Sequence, residues 1–258
     1  PRSQGDSLPA AQPGLTLGLA NRLDSLVGLF AVGLAPTATA DPFGLRRDAL
    51  GLVQALVGLA QPFDLRPAIR AAAGLMPIPA GETVLADVLS FVRDRLYAWL
   101  RDQGLPHDAV AAVLAEQAHD PYRAAAAARE LAALTQAPDW ADVFTAYARC
   151  KRIVRSLPET YALAPEHYIE EATRGLYEAS ESAKKRICES ANVATLGAVL
   201  RDLQAPINRF FTDVLGCQKA MSFGPFRDDQ GTFMQDVLNV DPRAVIETIT
   251  LMRCGFGS

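Results

Sequence analysis

The stretch GLTLGLANRLDSLVGLFAV, residues 14–32, places its large apolar side chains three or four positions apart. This spacing brings them to one face of an α-helix and differs from the two-residue alternation of a half-buried strand. The polar loop PTATADP follows and ends in Asp41 and Pro42, which predict the start of the next helix. Asp accepts hydrogen bonds from the free N–H groups of a first turn, and Pro loses no bond there. We therefore predict a second helix from Pro42 to Gly58.

The same helical spacing recurs along the rest of the chain, and no stretch shows convincing strand alternation. Further helices are predicted at residues 65–75, 82–103, 106–117, 121–136, 139–156, 165–189 and 194–215, the last one bent at Pro206. The Pro-rich segment MPIPAG, residues 76–81, interrupts the pattern and predicts a linker between two helical bodies hinged near Pro77–Gly81. We therefore predict an all-α fold made of helical bundles.

The composition agrees with this fold class and excludes some functions. The chain has 258 residues, of which 50% are hydrophobic, and a net charge of −4. This size allows one large or two modest domains. An acidic chain is not a globally basic nucleic-acid binder, so any contact with RNA requires a local cluster of cations. No apolar run approaches the roughly 20 residues that cross a bilayer, so we expect no membrane partner.

The chain shows no signature of a secreted or zinc-binding protein. Its cysteines are widely spaced and form no CxxC pair: Cys150, Cys188, Cys217 and Cys254. This pattern argues against a zinc site and predicts four reduced cysteines in a cytoplasmic protein. The first residues carry no signal-peptide pattern. Because the chain begins with Pro rather than Met, we expect it to be part of a longer protein.

The motifs of common enzymes are absent from the sequence. It contains no P-loop, no GxGxxG and no GxSxG. Two His-Asp dipeptides, at 107–108 and 119–120, resemble in isolation the metal-binding pair of a phosphohydrolase. Both lie beside Pro at predicted loop-to-helix junctions, where Asp is a preferred capping residue. We therefore predict that both pairs cap helices, and that the chain carries no catalytic residues and no metal.

The segment VFTAYARCKRIVRS, residues 143–156, is the most informative basic stretch. Four of its side chains share one face of the predicted helix: Val143, Tyr147, Cys150 and Val154. Four cations project from the other sides: Arg149, Lys151, Arg152 and Arg155. Such a cluster in an acidic protein can bind phosphates, and a solvated face paired with nearby acids explains it equally well. A second run, Lys184 to Arg186, has Glu181 and Glu189 as helical neighbours, so we predict a salt-bridged face there.

Long contiguous blocks of the sequence resemble one known family. The block LANRLDSLVGLFAVGLAPTATADPFGLRRDALGLVQALVG, residues 19–58, is similar to a signature of the β subunit of bacterial-type glycyl-tRNA synthetase. FDLR at 63–66, the block at 88–115, AYARCKRIVR at 146–155 and PINRFFTDVL at 206–215 resemble the same family in order and spacing. The resemblance covers about residues 1–215.

The resemblance implies the C-terminal part of that subunit. Residues 1–79 would form the end of an HD-type domain and a helical connection. Residues 80–258 would form an anticodon-binding helical domain similar to that of arginyl-tRNA synthetase, with residues 220–258 atypical. This part would bind glycine tRNA in the bacterial cytoplasm without a catalytic centre of its own. A helical scaffold that assembles subunits without touching RNA is the alternative.

The resemblance also implies partners and RNA-binding residues. The α subunit would supply the chemistry with ATP and Mg, in an assembly of two α and two β subunits, so no cofactor is expected in this chain. The helix over residues 139–156 would carry the principal RNA contacts, through Arg149, Lys151, Arg152 and Arg155. Arg46 and Arg47, in the first block, are secondary RNA candidates.

Three positions or segments depart from the family pattern. Asn21 stands where an HD-type domain has its metal-binding Asp, and a neutral amide is a poor ligand for a hard cation. Thr39 and Ala40 replace the usual Ser-Lys, which removes a cation. The sequence after Leu215 does not align with the family, although residues 243–253 have the pattern of a helix after Asp241-Pro242.

Overall fold

A computed structural model describes residues 12–155 and 163–215, and this part of the chain contains helices and no β-strand. Its nine α-helices are α1 Gln12–Ala31, α2 Leu45–Gly58, α3 Leu65–Leu75, α4 Glu82–Asp102, α5 His107–Gln117, α6 Pro121–Thr135, α7 Trp140–Val154, α8 Glu171–Glu189 and α9 Val193–Asp213. A 3-10 turn, Pro165–His167, precedes α8. The all-α prediction is confirmed for these residues. None of the described helices combines the length and hydropathy of a membrane span.

The predicted helices lie within three residues of the observed ones, apart from α8, for which the pattern predicts a start at residue 165, whereas the helix begins at Glu171 after a separate 3-10 turn. The start of α2 differs by three residues. That helix begins at Leu45 rather than at Pro42, because Gly44 before it adopts the left-handed φ of 72°. Asp41 still serves as the cap, since its carboxylate accepts hydrogen bonds from the backbone N–H groups of Leu45 (2.9 Å) and Arg46 (3.0 Å). The predicted helix at 243–253 and the atypical segment 220–258 lie outside the described residues.

The first compact unit extends to Arg129 and contains α1–α5. In it α1 contacts α2, α3 and α4, and α4 also contacts α2, α3 and α5. Its largest fully buried side chains come from the apolar stripes of four helices: Leu26, Val27, Leu45, Leu52, Val53, Leu56, Leu65, Ile69, Val88, Val92, Leu96 and Leu100. Burying such a side chain contributes about 1.5–3 kcal/mol, so this core dominates the stability of the unit.

The Pro-rich segment 76–81 connects α3 to α4 inside this first unit, because α4 packs on α1, α2 and α3. The two compact units divide instead between Arg129 and Glu130, within α6. The structure therefore differs from the predicted hinge near Pro77–Gly81. A Pro-rich break ends a helix, but the next helix can still pack against the same core. The assignment of 1–79 and 80–258 to two domain families stays a prediction.

The second compact unit contains α7, α8 and α9, and α9 contacts both of the others. Its main core cluster takes residues from all three helices: Ala146, Ala183, Ile187, Val199, Leu203, Ile207 and Phe211. A smaller cluster joins α7 to α9 through Val143, Leu196 and Leu200. Helix α9 is therefore the element on which both other helices of this unit pack.

Asp64 caps the N-terminus of α3. Its carboxylate accepts a hydrogen bond of 2.9 Å from the backbone N–H of Arg66, whose guanidinium also donates to both carboxylate oxygens at 2.7–3.2 Å. The side-chain hydrogen bonds from Arg66 hold the pKa of Asp64 below its usual value. A carboxylate with a lowered pKa stabilises the fold above its unfolded-state pKa and loses that contribution as the pH falls through the folded-state pKa.

We expect Asp64→Ala to lower the free energy of unfolding by about 1 kcal/mol at neutral pH, because a capped helix terminus loses its acceptor. The half-exposed ion pair to Arg66 adds little to this value. The difference from the parent chain should shrink as the pH falls below the ordinary Asp pKa of about 3.9 and through the lowered folded-state pKa of Asp64. Urea unfolding followed by circular dichroism between pH 3 and 7 measures both effects.

Asp94→Ala is the matched control, since Asp94 is an exposed carboxylate that also pairs with an Arg but caps no helix. An equal loss of stability for Asp64→Ala and Asp94→Ala would contradict the capping role.

Candidate functional site

Three cations of the basic segment, Arg149, Lys151 and Arg152, lie on the last two turns of α7, and Arg155 is its C-cap. The apolar face of this helix is covered only in part. Val143 and Ala146 are buried, and Tyr147 and Cys150 are half-buried against the clusters shared with α9. Val154, which was predicted on the same face, is 51% exposed. Val154 therefore shares the predicted face without being covered, because the last turn of α7 extends past both hydrophobic clusters.

Helices α7 and α9 run in the same direction along each other. Near the start of α7, Asp139 forms an ion pair with Arg201 at 2.5 Å. Two to three turns later, Arg149 contacts Asn208, farther along α9. The contacts thus advance together on both helices and bring the basic end of α7 beside the second half of α9.

Arg149 is bound to α9 rather than directed freely into solvent. Its Nη1 donates a hydrogen bond of 3.1 Å to Oδ1 of Asn208. Its Cζ lies 4.2 Å from the centroid of the Phe211 ring, which is the geometry of a cation–π contact. The side chain is half-buried. Sequence reasoning missed Asn208 and Phe211 as partners of this Arg, although both belong to the block PINRFFTDVL.

Arg152 and Arg155 are the exposed cations of the segment. Within residues 12–155 and 163–215, neither side chain forms an ion pair or a hydrogen bond. Between them lie Ile153 and Val154, each about half exposed. Lys151, by contrast, is half-buried. The structure therefore leaves two of the four predicted cations, both Arg, directly available to a phosphate.

The secondary candidates Arg46 and Arg47 lie in the first unit and differ from each other. The Arg46 guanidinium donates a hydrogen bond to the Thr37 carbonyl and lies 4.0 Å from the Asp41 carboxylate, so it holds the loop between α1 and α2. Arg47 is exposed and forms no ion pair or hydrogen bond with a described side chain, although its charge favours the ionised form of the neighbouring Asp48 carboxyl. Of the two, Arg47 is the one that can bind a phosphate without breaking a hydrogen bond or ion pair to a described side chain.

The second basic run is a salt-bridged face, as predicted. Lys184 pairs with Glu181 at 2.6 Å on α8. Arg186 pairs with Asp202 of α9 instead of with Glu189 on its own helix. The run therefore ties α8 to α9. Two of its three cations are paired, whereas Lys185 is exposed and pairs with no described side chain.

The two His-Asp pairs behave differently. Asp120 is buried and caps α6 by accepting a hydrogen bond of 3.1 Å from the backbone N–H of Arg123, as predicted. Asp108 is not the cap of α5, because that helix begins at His107 and Asp108 lies inside its first turn. His107 Nδ1 shares a hydrogen bond of 2.6 Å with the Tyr97 hydroxyl.

The described residues contain no group of three or more His, Cys, Asp or Glu side chains that could hold a metal ion. Asn21, at the place of the HD-type metal ligand, is exposed on α1. The absence of a bound metal from the chain stays a prediction.

The described cysteines correct one expectation. The Cys150 thiol is free and half-buried, and burial raises its pKa. Cys188 is disulfide-bonded, whereas four reduced cysteines were predicted. Spacing along the chain does not determine which cysteines can pair, because pairing depends on distances in the fold. Cys217 and Cys254 lie outside the described residues.

Comparisons with known proteins agree with the resemblance seen in the sequence blocks. A family model described as glycyl-tRNA synthetase beta subunit matches residues 1–115. The chain is 34% identical over 216 residues to a chloroplastic/mitochondrial glycine–tRNA ligase of Arabidopsis thaliana, covering 83% of this chain and 20% of that protein.

Two bacterial relatives are glycine–tRNA ligase beta subunits. That of Moorella thermoacetica is 33% identical over 250 residues, covering 93% of this chain and 35% of the relative. That of Leptothrix cholodnii is 37% identical over 228 residues, covering 83% of this chain and 31% of the relative. The chain thus spans about a fifth to a third of the length of the curated relatives it matches.

The contacts of Arg149 generate a prediction about stability. We expect Arg149→Ala to lower the free energy of unfolding by about 1–2 kcal/mol, since it removes a hydrogen bond and a cation–π contact. Arg152→Ala should change it by less than about 0.5 kcal/mol, because its side chain is exposed and Ala favours the helix. Urea unfolding followed by circular dichroism compares the two. Equal stabilities would show that the contacts of Arg149 with α9 do not stabilise the fold.

Proposed function

Since this chain is related to glycyl-tRNA synthetase β subunits over most of its length, we propose that it is the C-terminal, tRNA-binding part of such a subunit. In this role it supports the attachment of glycine to its tRNA and performs no chemistry itself. The relatives that carry the name beta subunit support a partner α subunit. We assign ATP, Mg and the aminoacylation reaction to that partner, in a cytoplasmic assembly of two α and two β subunits.

The observation that carries the RNA part of this proposal is the exposed pair Arg152 and Arg155 at the end of α7. Each Arg can bind a phosphate with two parallel hydrogen bonds, and its planar face can stack on an unpaired base. The two residues lie three positions apart, so they project from neighbouring parts of the helix surface. Their charge has no acidic partner among the described residues and is therefore available to RNA.

A helical scaffold that holds subunits together without touching RNA is the second candidate. Three large apolar side chains favour it, because they are strongly exposed: Leu17 (73%), Leu75 (84%) and Ile169 (80%). Side chains of this kind commonly contact another protein when they form part of a larger patch. Direct measurement of RNA binding separates the two candidates.

We expect the double variant Arg152→Ala/Arg155→Ala to bind glycine tRNA more weakly, by about 1–3 kcal/mol for each Arg that reads a base and by less for an Arg that touches only phosphate. The slope of log affinity against log salt should fall by about 0.7–0.9 for each phosphate that the variant no longer neutralises. Filter binding or fluorescence anisotropy at several salt concentrations measures both quantities.

The variant Lys184→Ala/Lys185→Ala is the matched control, since it removes two cations from α8, where at least Lys184 is already paired. It should bind tRNA nearly as well as the parent chain. If both double variants bind equally well, the end of α7 is a solvated face and the scaffold interpretation is favoured.

The proposed division of labour predicts that the purified chain alone catalyses no glycine-dependent exchange of pyrophosphate into ATP. The reason is that the catalytic centre is assigned to the α subunit. Exchange is measured with radiolabelled pyrophosphate, with a complete glycine–tRNA ligase as positive control. Exchange above background by this chain would refute the assignment.

A further inference from the structure

We infer that Arg149 is a positioning residue, which fixes the end of α7 on α9 and so sets the direction in which Arg152 and Arg155 face the RNA. The inference rests on the proposed function, because it concerns how the same segment is presented. It assigns Arg149 a role different from direct RNA contact, and it adds Asn208 to the residues on which binding depends.

One guanidinium makes both contacts with α9. An N–H at its edge donates to the Asn208 amide oxygen, while its face lies over the Phe211 ring. The two partners are three positions apart on α9, so they form neighbouring points of one surface. A planar, delocalised cation is the side chain that satisfies an amide and an aromatic face together, and a Lys ammonium lacks the plane.

Apolar packing alone does not hold this end of α7. Ile153 and Val154 in its last turn are about half exposed. Toward the start of the helix, Val143 is buried against Leu196 and Leu200 of α9. The half-buried contact of Arg149 thus lies between a packed part of α7 and an exposed part that carries Arg152 and Arg155.

The state of this contact can be observed without RNA. Cys150, next to Arg149, packs against the core cluster shared by α7, α8 and α9, and its thiol is free. Burial of the thiol also raises its pKa, and both effects slow its reaction with an alkylating reagent. If the end of α7 separates from α9, Cys150 becomes more accessible and reacts faster.

The test compares the full 258-residue chain with Asn208→Ala, Arg149→Gln and Gln204→Ala. Gln204 is the control, because it is an amide about one turn earlier on α9 and its side chain makes no hydrogen bond within the described residues. Each protein is alkylated with iodoacetamide under native conditions, and the rate at Cys150 is read by peptide mass spectrometry. Binding of glycine tRNA is then measured across a salt series.

We expect Asn208→Ala and Arg149→Gln to be alkylated faster at Cys150 and to bind tRNA about threefold to tenfold more weakly, as for the loss of one hydrogen bond. The salt dependence of binding should stay as in the parent chain, because each variant keeps every proposed phosphate ligand. Gln204→Ala should match the parent in both measurements. Asn208→Ala is the decisive variant, since it removes no charge and leaves Arg149 in place.

Two results would overturn the inference and leave the proposed function intact. In the first, Arg149→Gln lowers the salt slope by about 0.7–0.9 while Asn208→Ala binds normally, which makes Arg149 a direct ligand of phosphate. In the second, Cys150 is alkylated at the parent rate in both variants. Absence of tRNA binding by the folded parent chain would refute the proposed function itself, and faster alkylation of the variants would then identify the contact as purely structural.

Discussion

The contact between Arg149 of α7 and the pair Asn208 and Phe211 of α9 distinguishes one cation of the basic segment from the exposed ones. The segment has four cations within seven positions, and on an isolated helix all four would be equally available to a phosphate. The contact divides them, because it uses one Arg to join two helices and leaves Arg152 and Arg155 exposed beyond it. A half-buried guanidinium with a hydrogen bond and an aromatic face gains little by leaving both for a phosphate in water.

Much of the fold could be predicted from the sequence because each helix has its own apolar pattern. Apolar side chains at spacings of three and four, with Asp and Pro at the junctions, placed the helices within a few residues. The exceptions depend on information beyond one helix. The start of α2 was misplaced because Gly44 takes a left-handed φ, and that of α8 because residues 165–167 form a separate 3-10 turn. The break at 76–81 was over-interpreted because Pro residues do not reveal where the next helix packs.

The candidate site was predictable as a location and less so as a set of roles. The segment 143–156 and the family resemblance indicated the end of α7. Periodicity describes one helix only, so it cannot identify the residues of other helices that a side chain contacts. The contacts of Arg149 lie 59 positions away in sequence at Asn208 and farther at Phe211, and the exposure of Val154 depends on where the clusters with α9 end. The alternative of a solvated, paired face proved correct for the other run, where Arg186 pairs with Asp202 across to α9.

In an acidic protein, RNA binding depends more on which cations are unpaired than on how many cations there are. In the second unit, most described cations are engaged with acids or with backbone and side-chain oxygens: Arg149, Arg174, Lys184, Arg186, Arg201 and Arg209. A paired cation contributes little to the field that attracts a phosphate, since its partner cancels most of its potential within a Debye length of about 8–10 Å. Counterion release likewise depends on the charges that actually reach the phosphates. A net charge of −4 is therefore compatible with RNA binding if the exposed, unpaired cations are concentrated at one place, and the end of α7 concentrates two of them within one helical turn.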